Sequence, residues 1–267
     1  MWDEGKEDDR IEQVWFSGVH SNVGGGYPKQ GMSLVALDWM MAKAHRQGLR
    51  FIGDVRASYH ERHNVNDKLY DSRSGKGVYY RYKVRDIGEM CSENNTPVDI
   101  HVSSFDRISV GTEGYTPVNF PVGLRAVATN NNPPAAGEDD QSAQRLADKI
   151  NGALSDSKQL LDKAKKWMLI RRCSHYAFLG LTGAIVWFAL KTKTTAIVTS
   201  AFLNGFLKVV GFIAGDTIAE RVMKPILTRP ELGFPLLGLL VLSYLAGLWA
   251  KTRIKRIFSI FWLRTLR

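Results

Sequence analysis

Three groups of residues carry side chains suited to chemistry. The first is His20-Ser-Asn22-Val-Gly24-Gly25-Gly26, an imidazole, a hydroxyl and an amide set directly ahead of three consecutive glycines. Glycine reaches backbone angles closed to residues with a Cβ, so the chain can turn sharply there or run close to another backbone. The second is His101, which ends the short run Val98-Asp-Ile-His101 and is followed by Ser103 and Ser104. Acyl transfer needs a hydroxyl nucleophile, an imidazole base, a group that holds the base's tautomer and donors for the oxyanion. The third is His60 and His63, whose H-x-x-H spacing can put both rings on one helix face. A zinc site needs a third ligand, and none stands near them in the chain. They read as surface or loop histidines, and no metal or other cofactor is expected.

The elements that position these groups follow from periodicity. Val14, Trp15, Phe16 and Val19 make a short buried-strand run that breaks into the glycine cluster. In open α/β sheets, ligands and catalytic groups collect at the carboxyl ends of strands. The same pattern also fits a plain strand-to-helix turn with a structural histidine. It does not fit a dinucleotide fingerprint or a phosphate loop, because neither G-x-G-x-x-G nor Gly-Lys-Ser/Thr is present. A helix is expected from Ser33 as N-cap to about Gln47, with Gly48 as its stop and Leu34, Leu37, Met41 and Ala44 as its buried stripe. Asn66–Asp86 reads as a loop leading into an extended aromatic segment, and Gly114–Pro121 as a proline-punctuated surface stretch. His101 closes a strand, and a helix begins near Ser103.

The string from Val14 to Tyr27, VWFSGVHSNVGGGY, continues into Ser33–Leu49, SLVALDWMMAKAHRQGL. Together they resemble an uncharacterised α/β-hydrolase domain family that includes type VI secretion phospholipase effectors. The resemblance implies an α/β fold whose triad acid occupies the slot before the triple glycine, here Asn22. It also implies that His101, in Ile100-His-x-Ser103-x-x-x-Arg107-Ile108, is the triad base, and that Gly114-Tyr-x-Pro-x-Asn-x-Pro121 closes the domain. His20, Asn22 and His101 are therefore the candidate catalytic residues, with Gly24, Gly25 and Gly26 shaping the loop. An amide can orient an imidazole but cannot stabilise the imidazolium as a carboxylate does, and the Asp-to-Asn change in a serine protease triad costs about 10⁴ in turnover. Either Asn22 only positions His101, or Asp38 or Asp99 supplies the charge.

The nucleophile is missing. No G-x-S-x-G occurs in the 267 residues, and the family's usual Asp-Gly-Thr opening is absent. The leading expectation is the carboxyl-terminal, acid/base part of an ester or phospholipid hydrolase. The alternative is a non-catalytic interaction module that keeps the fold.

Charge divides the chain. Residues 1–157 hold 18 Lys and Arg against 22 Asp and Glu, while 158–267 hold 18 against 4. A basic excess confined to the tail points to an anionic membrane surface and not to nucleic acid. Two cysteines, Cys91 and Cys173, exclude a disulfide framework. The expected organisation is a partial α/β-hydrolase-like domain at 1–127, a linker at 128–141, an amphipathic juxtamembrane helix at 142–172 and a helical membrane region of about two spans at 173–267. Cys173–Leu190 and Phe234–Ala250 are the candidate spans. Both are flanked by cations that belong on the cytoplasmic side. Thr195–Ala214 reads as an interfacial helix, and Ile254–Arg267 as a basic amphipathic helix on an anionic leaflet. Membrane lipids are the expected partners, and a bacterial inner membrane, with the soluble domain in the cytoplasm, the expected location.

Overall fold

A computed structural model describes residues 12–71, 85–93, 97–129, 136–191 and 229–266, together with 221, 223 and 226. The aromatic segment at 72–84, residues 130–135 of the expected linker and the expected interfacial helix at 195–214 lie outside the described residues. The chain divides into two compact units, one of residues 1–162 with 255–267 and one of residues 163–254.

The first unit is built on a parallel three-stranded sheet in the order β1 (Val14–Trp15), β2 (Asp99–His101), β3 (Arg125–Val127). Val14 pairs with Asp99, Asp99 with Arg125, and His101 with Val127. Because the strands are parallel, their carboxyl ends share one edge, and each connection must cross over the sheet. β1 is short because Gly18, three residues on, sits at φ 110°. A Cβ there would also meet the Asn22 Cβ at 2.4 Å. Ile100 on the central strand and Leu124, just ahead of β3, are each 1 % exposed.

What reads as a loop between β1 and the glycines is a single helical turn, α1 (His20–Gly24). Asn22 stabilises it: its Oδ1 accepts the Val19 N–H at 3.1 Å, the return arm of a capping box. Gly25 and Gly26, at φ 89° and 103°, then turn the chain into α2 (Gly31–Arg46). The helix starts two residues before Ser33, because the Asp67 carboxylate accepts the Gly31 N–H at 3.0 Å from 36 residues away. It stops where expected, with Gly48 at φ 89°. Its buried face is wider than the expected stripe. Met32, Val35, Ala36, Asp38, Trp39 and Ala42 join Leu34 and Met41, while Leu37 is exposed, because α1 and α3 (Gly53–Arg62) cover it from two sides.

After α4 (Ile87–Glu93) and β2 comes α5 (Ser103–Val110), closed by Gly111 in the left-handed region. α5 carries Arg107, which is fully buried. Its guanidinium donates to the Val65 carbonyl, to the Asp67 carbonyl at 2.7 Å and to Glu113 Oε2 at 3.0 Å. Arg107 thus holds the 65–67 loop whose Asp67 begins α2.

α6 (Ala136–Asp156) takes in residues 136–141 of the expected linker. The long amphipathic helix is interrupted at Ser157, after which α7 (Lys158–Lys191) begins. The apolar face of α6 is covered: Ala143, Ala147, Ile150 and Leu154 are buried, and the helix packs on β3. Asn151 clamps it there, its Oδ1 accepting the Gly123 N–H at 2.9 Å and its Nδ2 donating to the Leu124 carbonyl at 2.9 Å.

The last helix, α8 (Pro230–Leu266), ends on this same unit. Phe258, Phe261 and Trp262 are buried, Trp262 donates to the Pro117 carbonyl at 2.9 Å, and its ring meets Phe120 edge-on at 5.4 Å. The aromatics expected on a lipid leaflet are spent on the domain, and the Gly114–Pro121 stretch lies beneath them.

The second unit pairs α7 with the first part of α8. Trp167 meets Trp249, Ser174 lies beside Gly247, and Phe178 meets Tyr244, an antiparallel pairing. Among the described residues one helix, α8 from Glu231, is long and apolar enough to cross a membrane. Cys173–Leu190 lies in α7, where the Ser174 and Thr182 hydroxyls donate to the carbonyls one turn back. Trp187, Leu242 and Trp249 are among the large apolar side chains that the pair exposes.

Candidate functional site

The carboxyl ends of β1, β2 and β3 bring Phe16, His101 and Thr129 together. Phe16, just past β1, stacks on the His101 ring at 4.7 Å and 24°. Thr129, just past β3, places Oγ1 2.8 Å from His101 Nε2. Ser103, the first residue of α5, places Oγ 2.8 Å from Nδ1 and its backbone N–H 3.4 Å from the same nitrogen. A backbone N–H can only donate, so this contact favours the tautomer in which Nδ1 accepts and Nε2–H donates to Thr129.

His101 is 4 % exposed. Burial disfavours its charged form and pushes its pKa from 6.5 down to about 4, a shift that the Asp38 carboxylate opposes and His63 assists. The ring is therefore neutral at pH 7. A serine triad uses the other tautomer, with Nδ1–H on an acid and Nε2 accepting from the nucleophile. Here a hydroxyl caps Nδ1, and Thr129 holds the position at Nε2 that a nucleophilic hydroxyl would take. Both partners are rotatable hydroxyls able to donate or accept, so the opposite tautomer costs only the 3.4 Å contact from the Ser103 N–H.

The other expected site residues divide clearly. Asn22 is buried, but its amide serves Val19 and lies 4.0 Å from the Met32 sulfur, and His101 is not among its partners. His20 is exposed at the start of α1 and is likewise not a partner of His101. Gly25 and Gly26 hold the positive φ angles that the turn needs, whereas Gly24 belongs to α1. Of the two substitute acids, Asp99 gives both oxygens to Arg125, at 2.6 and 2.7 Å across the β2–β3 pair. Asp38 acts on His101 only through its field, its Oδ2 being 3.1 Å from His60 Nδ1.

That last contact changes the reading of the H-x-x-H pair. Asp38, His60 and His63 each bring one ligand atom within 4.8 Å of the other two, a donor set able to hold a metal ion. The missing third ligand comes from α2, 22 residues upstream. A signal for it was present: Asp38 stands four residues after Leu34, on the face of α2 that the apolar pattern buries. Thr129 gave no such signal, since it stands where polar residues announce a linker.

A family model described as the catalytic domain of Tle1-like phospholipase effectors of the type VI secretion system matches residues 2–43. The matched stretch contains β1, α1 and most of α2, and with them Asn22 and the triple glycine; His101 lies beyond it. No curated protein and no solved structure matches the chain.

Proposed function

We propose that this chain carries the base-bearing part of a membrane-anchored phospholipid hydrolase of the α/β type, with His101 as general base. The observation that carries the reading is the common edge of the parallel strands. There the loop of the phospholipase-effector match follows β1, and His101 ends β2 beside it. A hydrolase of this kind gathers its acid and base at that edge. The nucleophile is a serine in a G-x-S-x-G turn supplied from outside these 267 residues. Asn22 shapes the loop by capping α1.

The anchor is the α7–α8 pair, with membrane lipids as its partner. Arg253 lies 5.3 Å from the Trp249 ring and 5.9 Å from that of Trp167, so both basic flanks sit at one end of the antiparallel pair, next to the aromatic residues favoured at a bilayer interface. That end faces the cytoplasm of a bacterial inner membrane, and the pair crosses the bilayer twice.

One observation favours a second reading, a non-catalytic module that keeps the fold. His101 Nδ1 faces a hydroxyl where a triad has a carboxylate, and the two expected substitutes, Asp38 and Asp99, contact His60 and Arg125 instead. Fatty-acid release from phospholipid vesicles by the product of the complete reading frame, compared with its His101→Ala form, separates the two. Loss of release in the variant supports the hydrolase. Absence of any hydrolysis, or equal hydrolysis by both proteins, supports the module.

A further inference from the structure

We infer that Asp38, His60 and His63 form a binding site for a divalent transition-metal ion of the zinc type, distinct from the His101 cluster and independent of the hydrolase reading. Asp38 comes from the middle of α2, His60 from the last turn of α3, and His63 is the residue that caps α3. Their ligand atoms lie within 4.8 Å of one another, and the two imidazoles meet edge-on with centroids 4.8 Å apart.

Two of the atoms involved are orphans. Asp38 is 4 % exposed, and while Oδ2 meets His60, Oδ1 is buried with no hydrogen-bond partner among the described residues. His63 Nδ1 is buried and unpartnered in the same sense. A carboxylate oxygen sealed from water without a partner costs free energy, and native structures rarely leave one so. The two unpartnered atoms lie on residues that converge, and a cation between them satisfies the carboxylate oxygen and, in the tautomer with Nδ1 unprotonated, the His63 nitrogen as well.

The donor set selects the ion. Two imidazole nitrogens and one carboxylate oxygen suit zinc, cobalt, nickel or ferrous iron, whereas calcium and magnesium prefer all-oxygen sites. Bonds of about 2.0–2.1 Å in a tetrahedral site put ligand atoms roughly 3.4 Å apart, so the three must close by up to about 1.4 Å. The His60 Nδ1–Asp38 Oδ2 pair already stands at 3.1 Å, and the half-exposed His60 side chain has room to adjust while the Asp38 side chain is only 6 % exposed. Three protein ligands leave one coordination position for water. This is the arrangement of reactive metal sites and not of closed structural ones.

The test uses the full chain in detergent, without an affinity tag and stripped of metal with a chelator. Cobalt(II) is titrated in, followed by its visible ligand-field absorption and by calorimetry, and then displaced with zinc(II). The expected result is one cobalt per chain with the intense bands of a low-symmetry site. His60→Gln, at an exposed position that the fold tolerates, weakens binding by at least about 100-fold, since loss of even an outer-shell partner of a ligand costs 10- to 100-fold. His63→Gln does the same, and His45→Gln on the exposed side of α2 leaves binding unchanged. Failure to bind cobalt at millimolar concentration overturns the inference. So does binding that His60→Gln and His63→Gln both leave intact.

Discussion

Replacing His101 by Gln removes the titrating group while keeping its hydrogen bonds. The Gln carbonyl can accept from Ser103 as Nδ1 does, and the Gln amide can donate to Thr129 as Nε2–H does. The folded-state pKa of about 4 lies below the ordinary 6.5, so the unfolded chain takes up the proton first as pH falls. Stability contributed by the neutral ring is complete above pH 6.5 and is lost as pH falls toward 4. Within that window the slope is about 1.4 kcal/mol per pH unit, which gives a loss of about 2 kcal/mol at pH 5 and about 3 kcal/mol at its acid end. His101 is almost wholly buried, so solvent screening takes little from the figure. Hydrogen exchange at β2, followed by mass spectrometry on metal-free full-length protein and corrected for intrinsic exchange, measures it. The wild type should lose about 2 kcal/mol more protection than His101→Gln between pH 8 and pH 5. Parallel profiles for the two proteins would refute a buried His101 ring that stays neutral as pH falls to 5.

Three other substitutions test the scaffold. Gly18→Ala adds a Cβ 2.4 Å from that of Asn22 at φ 110°, so it should cost at least about 2 kcal/mol in chemical denaturation and displace α1. Arg107→Met breaks a buried cation away from two carbonyls and Glu113, with an expected loss of about 3–5 kcal/mol and faster proteolysis of the 64–67 loop. Trp262→Ala empties the ring's place beside Phe120 and Pro117, which should cost about 3–5 kcal/mol and raise hydrogen exchange at both 115–121 and 255–266.

The legible features in the sequence are those set by local rules. β1 is a run of β-branched and aromatic residues, Gly48 is a left-handed helix stop, and His101 ends an apolar run, and each stands where those rules put it. Decisions taken at long range were not legible. α2 begins at Gly31 because Asp67 reaches back from 36 residues away, and Leu37 is exposed because two helices cover the other sides. Asn22 reads as the stand-in for a triad acid, yet its amide is committed to capping α1, a helix too short to leave a periodic signal. Cations between aromatics in the final segment suggest a lipid-facing helix, but Phe258, Phe261 and Trp262 are matched to a proline-rich stretch some 140 residues earlier, a complementarity that only the fold reveals. The Asp38, His60 and His63 cluster is split in the same way, two residues local and the third far upstream.

The most direct measurement is the rate of fatty-acid release from phospholipid vesicles by the product of the complete reading frame, in wild-type and His101→Ala forms, with His20→Ala as comparison. Removal of a general base lowers such a rate by about 10²–10⁴. The expected result is a loss of that size in His101→Ala, with His20→Ala near wild type. Equal release by wild type and His101→Ala, or no release by either, contradicts it.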